Sequence, residues 1–111
     1  MSVAFPTPAP LDLTTTTETF YTAPATSGLT VDNIHLLVTN YTPATRKVTI
    51  YAVDPGVSSG DANSAAYERT VPAYDTISVL TRRLPASGFI SAHADLGASL
   101  SLSMHSGTER S

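Results

Sequence analysis

Apolar and polar residues alternate along much of this chain, and this two-residue period constrains the fold more than any other feature of the sequence. The alternation is cleanest near the C-terminus, where Leu100, Leu102 and Met104 alternate with serines. Such a period is typical of β-strands that bury one face, whereas an amphipathic helix needs a period near 3.6 residues. The sequence therefore predicts an all-β fold whose core lies between facing sheets.

Turn residues divide the alternating segments into about seven or eight predicted strands, a spacing that favours an antiparallel two-sheet sandwich of jelly-roll or immunoglobulin-like type. The short connection between segments 29–41 and 46–53 predicts an antiparallel hairpin. A further helical turn is expected at 62–66. The predicted strands are 14–23, 29–41, 46–53, 67–71, 75–81, 89–94 and 99–105.

The N-terminal segment predicts an extended arm, because its three prolines fix φ and remove backbone donors. Its apolar residues make it more hydrophobic than a simple linker, so we expect it to dock onto a neighbouring protein. The predicted organisation is an arm over 1–13 and a β-sandwich over 14–111. The predicted docking residues are Val3, Phe5, Pro6, Pro8, Pro10 and Leu11.

The net negative charge of the chain does not favour a nucleic-acid partner. The 111 residues include 6 lysines and arginines and 9 aspartates and glutamates, a net charge of −3. Nucleic-acid-binding domains usually carry a basic stripe, whereas the basic pairs Arg46-Lys47 and Arg82-Arg83 are more typical of solvated strand ends. Charged residues make up 14% of the chain, against about 25% in average proteins. The predicted outer faces are mostly serine and threonine, which suits contact with other proteins.

The chain contains no cysteine, which excludes disulfides, zinc–thiolate sites and thiol catalysis. Small secreted domains often carry disulfides, so this composition favours folding in a reducing cytosol. Residues 1–6 predict no targeting segment, and no apolar run approaches the roughly 20 residues of a membrane helix. We therefore expect a protein that is made and folds in the cytoplasm and has no membrane partner.

Two groups of residues are candidate metal ligands. His93 and His105 lie in consecutive predicted strands, with Asp95 nearby, and cross-strand histidines are suitable ligands. No further ligand follows at a matching spacing, so polar residues on a solvated face are the favoured interpretation. Asp54 and Asp61 are the acidic residues of an oxygen-rich loop. They lie too far apart for a typical calcium loop, and a hairpin loop is favoured there.

No catalytic constellation is visible. No serine lies in a Gly-x-Ser-x-Gly elbow, no glutamates pair for acid–base work, and no glycine-rich loop matches a phosphate cradle. We expect no catalytic residue, no metal and no cofactor. The five tyrosines, at positions 21, 41, 51, 67 and 74, leave sugar stacking as an alternative role.

Several segments in a fixed order carry a resemblance that covers most of residues 13–109. They are TFYTAPA at 19–25, IHLLVTN at 34–40, KVTIYAV at 47–53, GFISAHA at 88–94 and LSLSM at 100–104, followed by the tail SGTE at 106–109. In pattern and order they resemble small β-rich virion proteins of tailed bacteriophages. The likeness contains no diagnostic catalytic motif.

The resemblance implies a non-enzymatic role in a multi-copy assembly. We expect a capsid cement or decoration protein that sits on the shell as a homo-oligomer and binds the major capsid protein. A tail, connector or fibre component of the virion is the first alternative. An alternative of another class is a carbohydrate-binding module that uses exposed tyrosines such as Tyr51 or Tyr67.

Overall fold

The computed structural model describes residues 8–110, and nine β-strands in two antiparallel sheets occupy most of that range. The predicted all-β class is confirmed. A short 3₁₀ turn, Asp61–Asn63, precedes the fifth strand. The strands are β1 Leu11–Asp12, β2 Glu18–Thr22, β3 Thr30–Asn40, β4 Arg46–Val53, β5 Ser64–Val71, β6 Thr76–Leu80, β7 Leu84–Pro85, β8 Phe89–Ala94 and β9 Leu100–Arg110.

The order of strands in the sheets is that of a jelly roll. One sheet runs β1-β9-β3-β6, with β7 also paired to β3, and the other runs β2-β8-β4-β5. When β6 and β7 are taken together, the first strand pairs with the last, the second with the last but one, and so on to the hairpin β4–β5. An antiparallel ribbon folded over itself in this way gives two packed sheets. The predicted antiparallel sandwich is thus confirmed.

The hairpin predicted between segments 29–41 and 46–53 is wrong. The strands themselves lie where the alternation places them, but β3 belongs to the five-stranded sheet and β4 to the four-stranded one. Their short connection therefore crosses from one sheet to the other. Alternation specifies which side chains face the core, and a strand satisfies that requirement equally well in either sheet.

Two local predictions are also corrected. Thr14–Thr17 form a turn rather than the start of a strand, because the Thr14 hydroxyl accepts from the Thr16 amide at 3.2 Å and donates to the Glu18 carboxylate at 2.8 Å. Such side-chain bonds compete with strand pairing. The helical turn expected at 62–66 is limited to the 3₁₀ turn, and β5 begins at Ser64.

The core lies between the inner faces of the two sheets, as the alternation predicts. In β9 the three apolar residues Leu100, Leu102 and Met104 are buried, while His105 is exposed. Fully burying one such apolar side chain contributes about 1.5–3 kcal/mol before ordering costs. The same alternation places three residues of β3 in the core: Ile34, Leu36 and Val38.

Strand β9 is longer than the sequence predicts and runs on past His105 to Arg110. Its pairing with β3 shifts near His35, where Asn33 adopts a φ of 52°. Asparagine tolerates this left-handed conformation better than most residues. On its other side β9 pairs only with the two residues of β1, at Ser101 and Leu102. Among the described residues, no strand covers the outer edge of β9 beyond that point.

Candidate interaction surfaces

The root of the predicted arm is part of the sandwich. Leu11 pairs with Leu102 in β9, and the Leu13 amide donates to the Leu100 carbonyl at 2.9 Å. Leu13 is 1% exposed and belongs to the hydrophobic core, against which Leu11 also packs. The root of the arm is therefore fixed both to β9 and to the core.

The predicted docking residues fall into two groups. Leu11 packs against its own core, while Pro8 is half-buried and Pro10 is exposed. Val3, Phe5 and Pro6 lie outside the described residues. Of the six predicted docking residues, Leu11 thus holds the arm to the sandwich, and its docking to a second protein stays a prediction for the residues that precede it.

Polar residues on the outer face of the four-stranded sheet are covered by neighbouring segments. The Ser59 hydroxyl, from the β4–β5 loop, lies 2.6 Å from the Ser91 hydroxyl, and Thr17 Oγ1 lies 3.1 Å from Nδ1 of His93. Tyr51 stacks obliquely on the His93 ring, with centroids 5.9 Å apart, and is only 7% exposed. The expectation that Tyr51 is an exposed stacking residue is therefore wrong.

The three histidines do not meet. His93 lies in β8 and His105 in β9, which belong to different sheets, so they are not the cross-strand neighbours that the disfavoured metal site would need. The third, His35, has its Nδ1 at 3.3 Å from the Ser106 hydroxyl. Within residues 8–110, no group of three or more histidines and carboxylates could hold a metal ion.

The oxygen-rich loop 54–63 closes the β4–β5 hairpin, the interpretation that the sequence favours. Within it the Asn63 Oδ1 atom accepts from the Gly60 amide at 3.0 Å. The Asp54 carboxylate binds a guanidinium nitrogen of Arg82 at 2.9 Å. That guanidinium also donates to the Ala52 carbonyl. Asp54 thus fixes the loop to the opposite sheet.

The second arginine of that basic pair is also matched by an acid. Asp32 lies 3.7 Å from Arg83 and 2.9 Å from Arg110 at the C-terminal end of β9. Exposed ion pairs of this kind contribute about 0–1 kcal/mol each. With acids beside both Arg82 and Arg83, this pair is not a free phosphate-binding cluster.

One end of the sandwich is organised by a buried amide, which the sequence analysis did not single out. The Asn40 side chain is fully buried at the end of β3. Its Nδ2 atom donates to the carbonyls of Ala44 and Val71, at 2.8 and 3.0 Å. Its Oδ1 atom accepts from both the amide and the hydroxyl of Thr42. Asn40 therefore ties the β3–β4 connection to the end of β5.

Exposed apolar side chains are concentrated at this same end. The Tyr74 amide donates to the Thr42 carbonyl and the Tyr41 amide to the Ser99 carbonyl, so three connections meet there. Tyr74 is 72% exposed, and Tyr41 and Leu96 are also exposed. We call Tyr41, Tyr74 and Leu96 the tyrosine end. Its aromatic rings present flat apolar faces with a polar rim, which suit a protein or sugar partner.

A cleft of about 140 Å³ lies beside the free edges of β5 and β6. Ala52, Ala65, Leu80 and Arg82 contribute to its walls, and Leu80 is 62% exposed. Its one charged group, the Arg82 guanidinium, already binds Asp54 and the Ala52 carbonyl. The cleft therefore contains apolar surface but no acid–base pair among its lining residues.

Tyr21 makes the stability of the protein sensitive to alkaline pH. Burial, and secondly the nearby Glu109 carboxylate, raise the pKa of Tyr21 above its usual 10.0. The unfolded chain releases this proton first, so we expect the free energy of unfolding to fall as pH rises above about 10. Urea unfolding at about pH 9 and about pH 11 should show a smaller alkaline loss for Tyr21→Phe.

The variant Glu109→Gln serves as the control, because it removes only the weaker of the two causes. It should retain most of the alkaline loss of stability. If Tyr21→Phe lost as much stability as the original chain over this pH interval, the assignment to Tyr21 would be wrong.

Comparisons with known proteins identify no relative. No protein-family model, curated protein or solved structure matches the chain. Residues 8–110 contain no helix that is long and apolar enough to span a membrane. The class that can be stated is therefore structural: a two-sheet antiparallel β-sandwich with jelly-roll pairing, a buried arm root and an exposed tyrosine end.

Proposed function

We propose that this chain is a structural virion protein of a tailed bacteriophage, a cement protein that binds the major capsid protein and copies of itself on the shell. The observation that carries the proposal is the arm root, which is built into the core through Leu11 and Leu13. Jelly rolls serve viral capsids and also lectins, so the fold is compatible with the role. The low charged fraction of the chain supports an extensive protein-contacting surface.

In the proposed mechanism the arm acts as a strap, that is, a segment fixed to its own sandwich at one end and docked on a neighbouring protein at the other. Apolar residues of the arm, Val3 and Phe5, dock on a neighbour while Leu13 holds the strap to its own sandwich. Each docked apolar side chain contributes about 1.5–3 kcal/mol, reduced by the cost of ordering the chain. Modest contacts become strong when many symmetry-related copies engage one shell together. The role is non-enzymatic and needs no cofactor, nucleic acid or membrane.

The test compares intact virions with virions stripped of this protein. We expect stripped particles to release their genome at lower temperature and after milder osmotic shock, and added protein to restore resistance. Phe5→Asp, which replaces a large apolar residue of the arm by a charged one, should fail to restore it. Stripped particles as resistant as intact ones would refute the cement role.

A position in the tail, connector or fibre is the alternative within the virion. The two positions differ in copy number, which quantitative mass measurement of purified particles determines. Hundreds of copies per particle support the shell, whereas a handful or tens support the tail or connector.

The tyrosine end keeps a carbohydrate-binding role as the alternative of another class. Tyr41 and Tyr74 are exposed there, and Tyr67 is exposed on the edge strand β5. Specific hits on a glycan array that disappear in Tyr74→Ala or Tyr67→Ala would support this alternative. Tyr51→Ala is not an informative variant, because the side chain is buried in the folded chain.

A further inference from the structure

We propose that the arm of one copy adds as an antiparallel strand to the outer edge of β9 in a second copy, beside that copy's own β1. The proposal deepens the docking role of the arm by naming its partner and its mode of binding. It is tested on the purified chain, so its failure would leave the role in the virion standing.

The receiving edge of β9 is longer than the strand that covers it. Strand β9 extends to Arg110, but β1 covers it only at Ser101 and Leu102. The edge strand of the facing sheet, β2, has five residues against the two of β1. Tyr21 of β2 is half-buried here and senses the Glu109 carboxylate. A longer strand beside β9 would pair with those backbone groups of residues 103–110 that point away from β3.

The hydrogen-bonding register of β1 explains why the arm can be such a strand despite its prolines. Leu13 donates its amide to Leu100 of β9, and Leu11 lies opposite Leu102. Because bonding alternates along an antiparallel strand, odd-numbered arm residues direct their amides towards β9 and even-numbered ones away from it. The three prolines stand at even positions: Pro6, Pro8 and Pro10.

The prolines therefore remove only donors that this strand does not need. Proline is tolerated in a sheet at edge positions of this kind. On the opposite side of the added strand, the missing donors would prevent a further strand from pairing. The arm is thus suited to close a sheet edge rather than to extend the sheet indefinitely.

The side chains of the arm alternate in the same way as its amide groups. Leu11 and Leu13 face the core, and a strand in the same register places every odd-numbered residue on that face. The sequence continues this face with Ala9, Thr7, Phe5 and Val3, of which only Thr7 is polar. One edge of the arm therefore carries the free donors, and one face carries the apolar side chains, as a strand at the margin of a sandwich requires.

We assign the partner edge to a second copy because residues 8–10 do not pair with β9 of their own chain. Continued register would place Ala9 opposite Met104, yet residues 8–10 are not in a strand, and Ala9 is exposed. Prolines at 8 and 10 favour an extended exit. Pro10 would cross between the copies, and the seven extended residues 3–9 span about 23 Å, which covers seven of the eight residues of the free edge. Reciprocal exchange of such a segment is a low-cost route to a closed dimer.

The first experiment is disulfide cross-linking between introduced cysteines, which is specific because the chain has no natural cysteine. Ala9→Cys and Met104→Cys chains are mixed and mildly oxidised, since opposed residues of a bonded antiparallel pair have a Cα separation of about 5.5 Å, within disulfide range. We expect disulfide-linked heterodimers on non-reducing gels. Ala9→Cys mixed with Ser78→Cys, an exposed position on the β6 edge, measures random collision.

Two results would overturn the exchange. The first is a heterodimer yield no higher than that of the Ser78→Cys control. The second is an Ala9→Cys, Met104→Cys double variant that closes within its own chain and runs as a cross-linked monomer, because the arm would then lie on its own edge.

A second experiment leaves the core unchanged and compares an odd-numbered with an even-numbered arm position. Sedimentation of the full chain measures self-association. Phe5→Asp places a charge on the face that packs, and Ala4→Asp places the same charge on the opposite face. We expect Phe5→Asp to weaken self-association at least about tenfold and Ala4→Asp to leave it unchanged. Equal effects from the two variants, or no association by the original chain, would contradict strand addition.

Discussion

Replacing Asn40 by alanine should lower the free energy of unfolding by about 3 kcal/mol, because the variant leaves the buried Val71 carbonyl without its donor and removes the acceptor of the Thr42 amide and hydroxyl. The amide of Asn40 supplies hydrogen bonds to Ala44 and Val71 and accepts two from Thr42. Each buried group left unsatisfied costs about 1–3 kcal/mol. Since a domain of this size has a total stability of about 5–15 kcal/mol, the loss is a large fraction of the whole.

Urea unfolding followed by circular dichroism measures this effect, and the melting temperature should fall by about 10 °C or more. Asn63→Ala is the matched control. Asn63 makes two hydrogen bonds within the β4–β5 loop, but its side chain is only half-buried. Water can replace its lost partners, so the control should lose about 1 kcal/mol. Equal losses in both variants would show that burial of the Asn40 amide is not what matters.

Asn40→Ala should also affect binding at the tyrosine end. Asn40 holds the β3–β4 connection against the end of β5, and Tyr41 and Tyr74 extend from the connections that meet there. Loss of the amide should therefore loosen the tyrosine end before the sheets separate. A partner that binds this end would bind Asn40→Ala less well at temperatures at which the sandwich is still folded.

The faces of the strands could be predicted from sequence because burial imposes a period of two wherever one face is covered. In β3 the even positions Ile34, Leu36 and Val38 face the core, as expected. Asn40 continues this series, so its burial had a signal: it is a polar residue at the next inward position. The sequence carries no signal for its four hydrogen bonds, because they depend on how the connections fold around the end of β3.

The pairing of strands could not be predicted, because each strand presents the same alternation to any neighbour. In a jelly roll most consecutive strands lie in opposite sheets. This is why the β3–β4 hairpin was predicted wrongly, and why His93 and His105 do not lie on paired strands. The length of β9 was also underestimated, since Gly107 and Glu109 resemble a polar tail. Only pairing with β3 turns that tail into strand and creates the edge beyond β1.

The boundary of the arm was placed by its prolines, and the chemistry of proline says little about the residues that follow. Leu11 and Leu13 continue the alternation on the C-terminal side of Pro10, and this was the available signal. The Thr14–Thr17 run concealed it, since β-branched residues predict a strand there while the Thr14 hydroxyl forms a turn instead.

The placement of Leu13 can be tested by Leu13→Ala, which should destabilise the protein by about 2–5 kcal/mol, the range for a buried leucine. Leu13 is 1% exposed in the core, and its amide holds β1 to β9. If it belonged to an arm that the sandwich does not need, the same change would have almost no effect on unfolding. Urea unfolding of the purified variant distinguishes the two.

Leu96→Ala is the control, because it makes the same chemical change at a leucine that is 46% exposed. We expect it to cost less than about 0.5 kcal/mol, as surface substitutions usually do. A large difference between the two variants places the start of the folded domain at Leu11 rather than at residue 14. Equal and small effects would return residues 11–13 to the arm and would remove the fixed root that the strap mechanism requires.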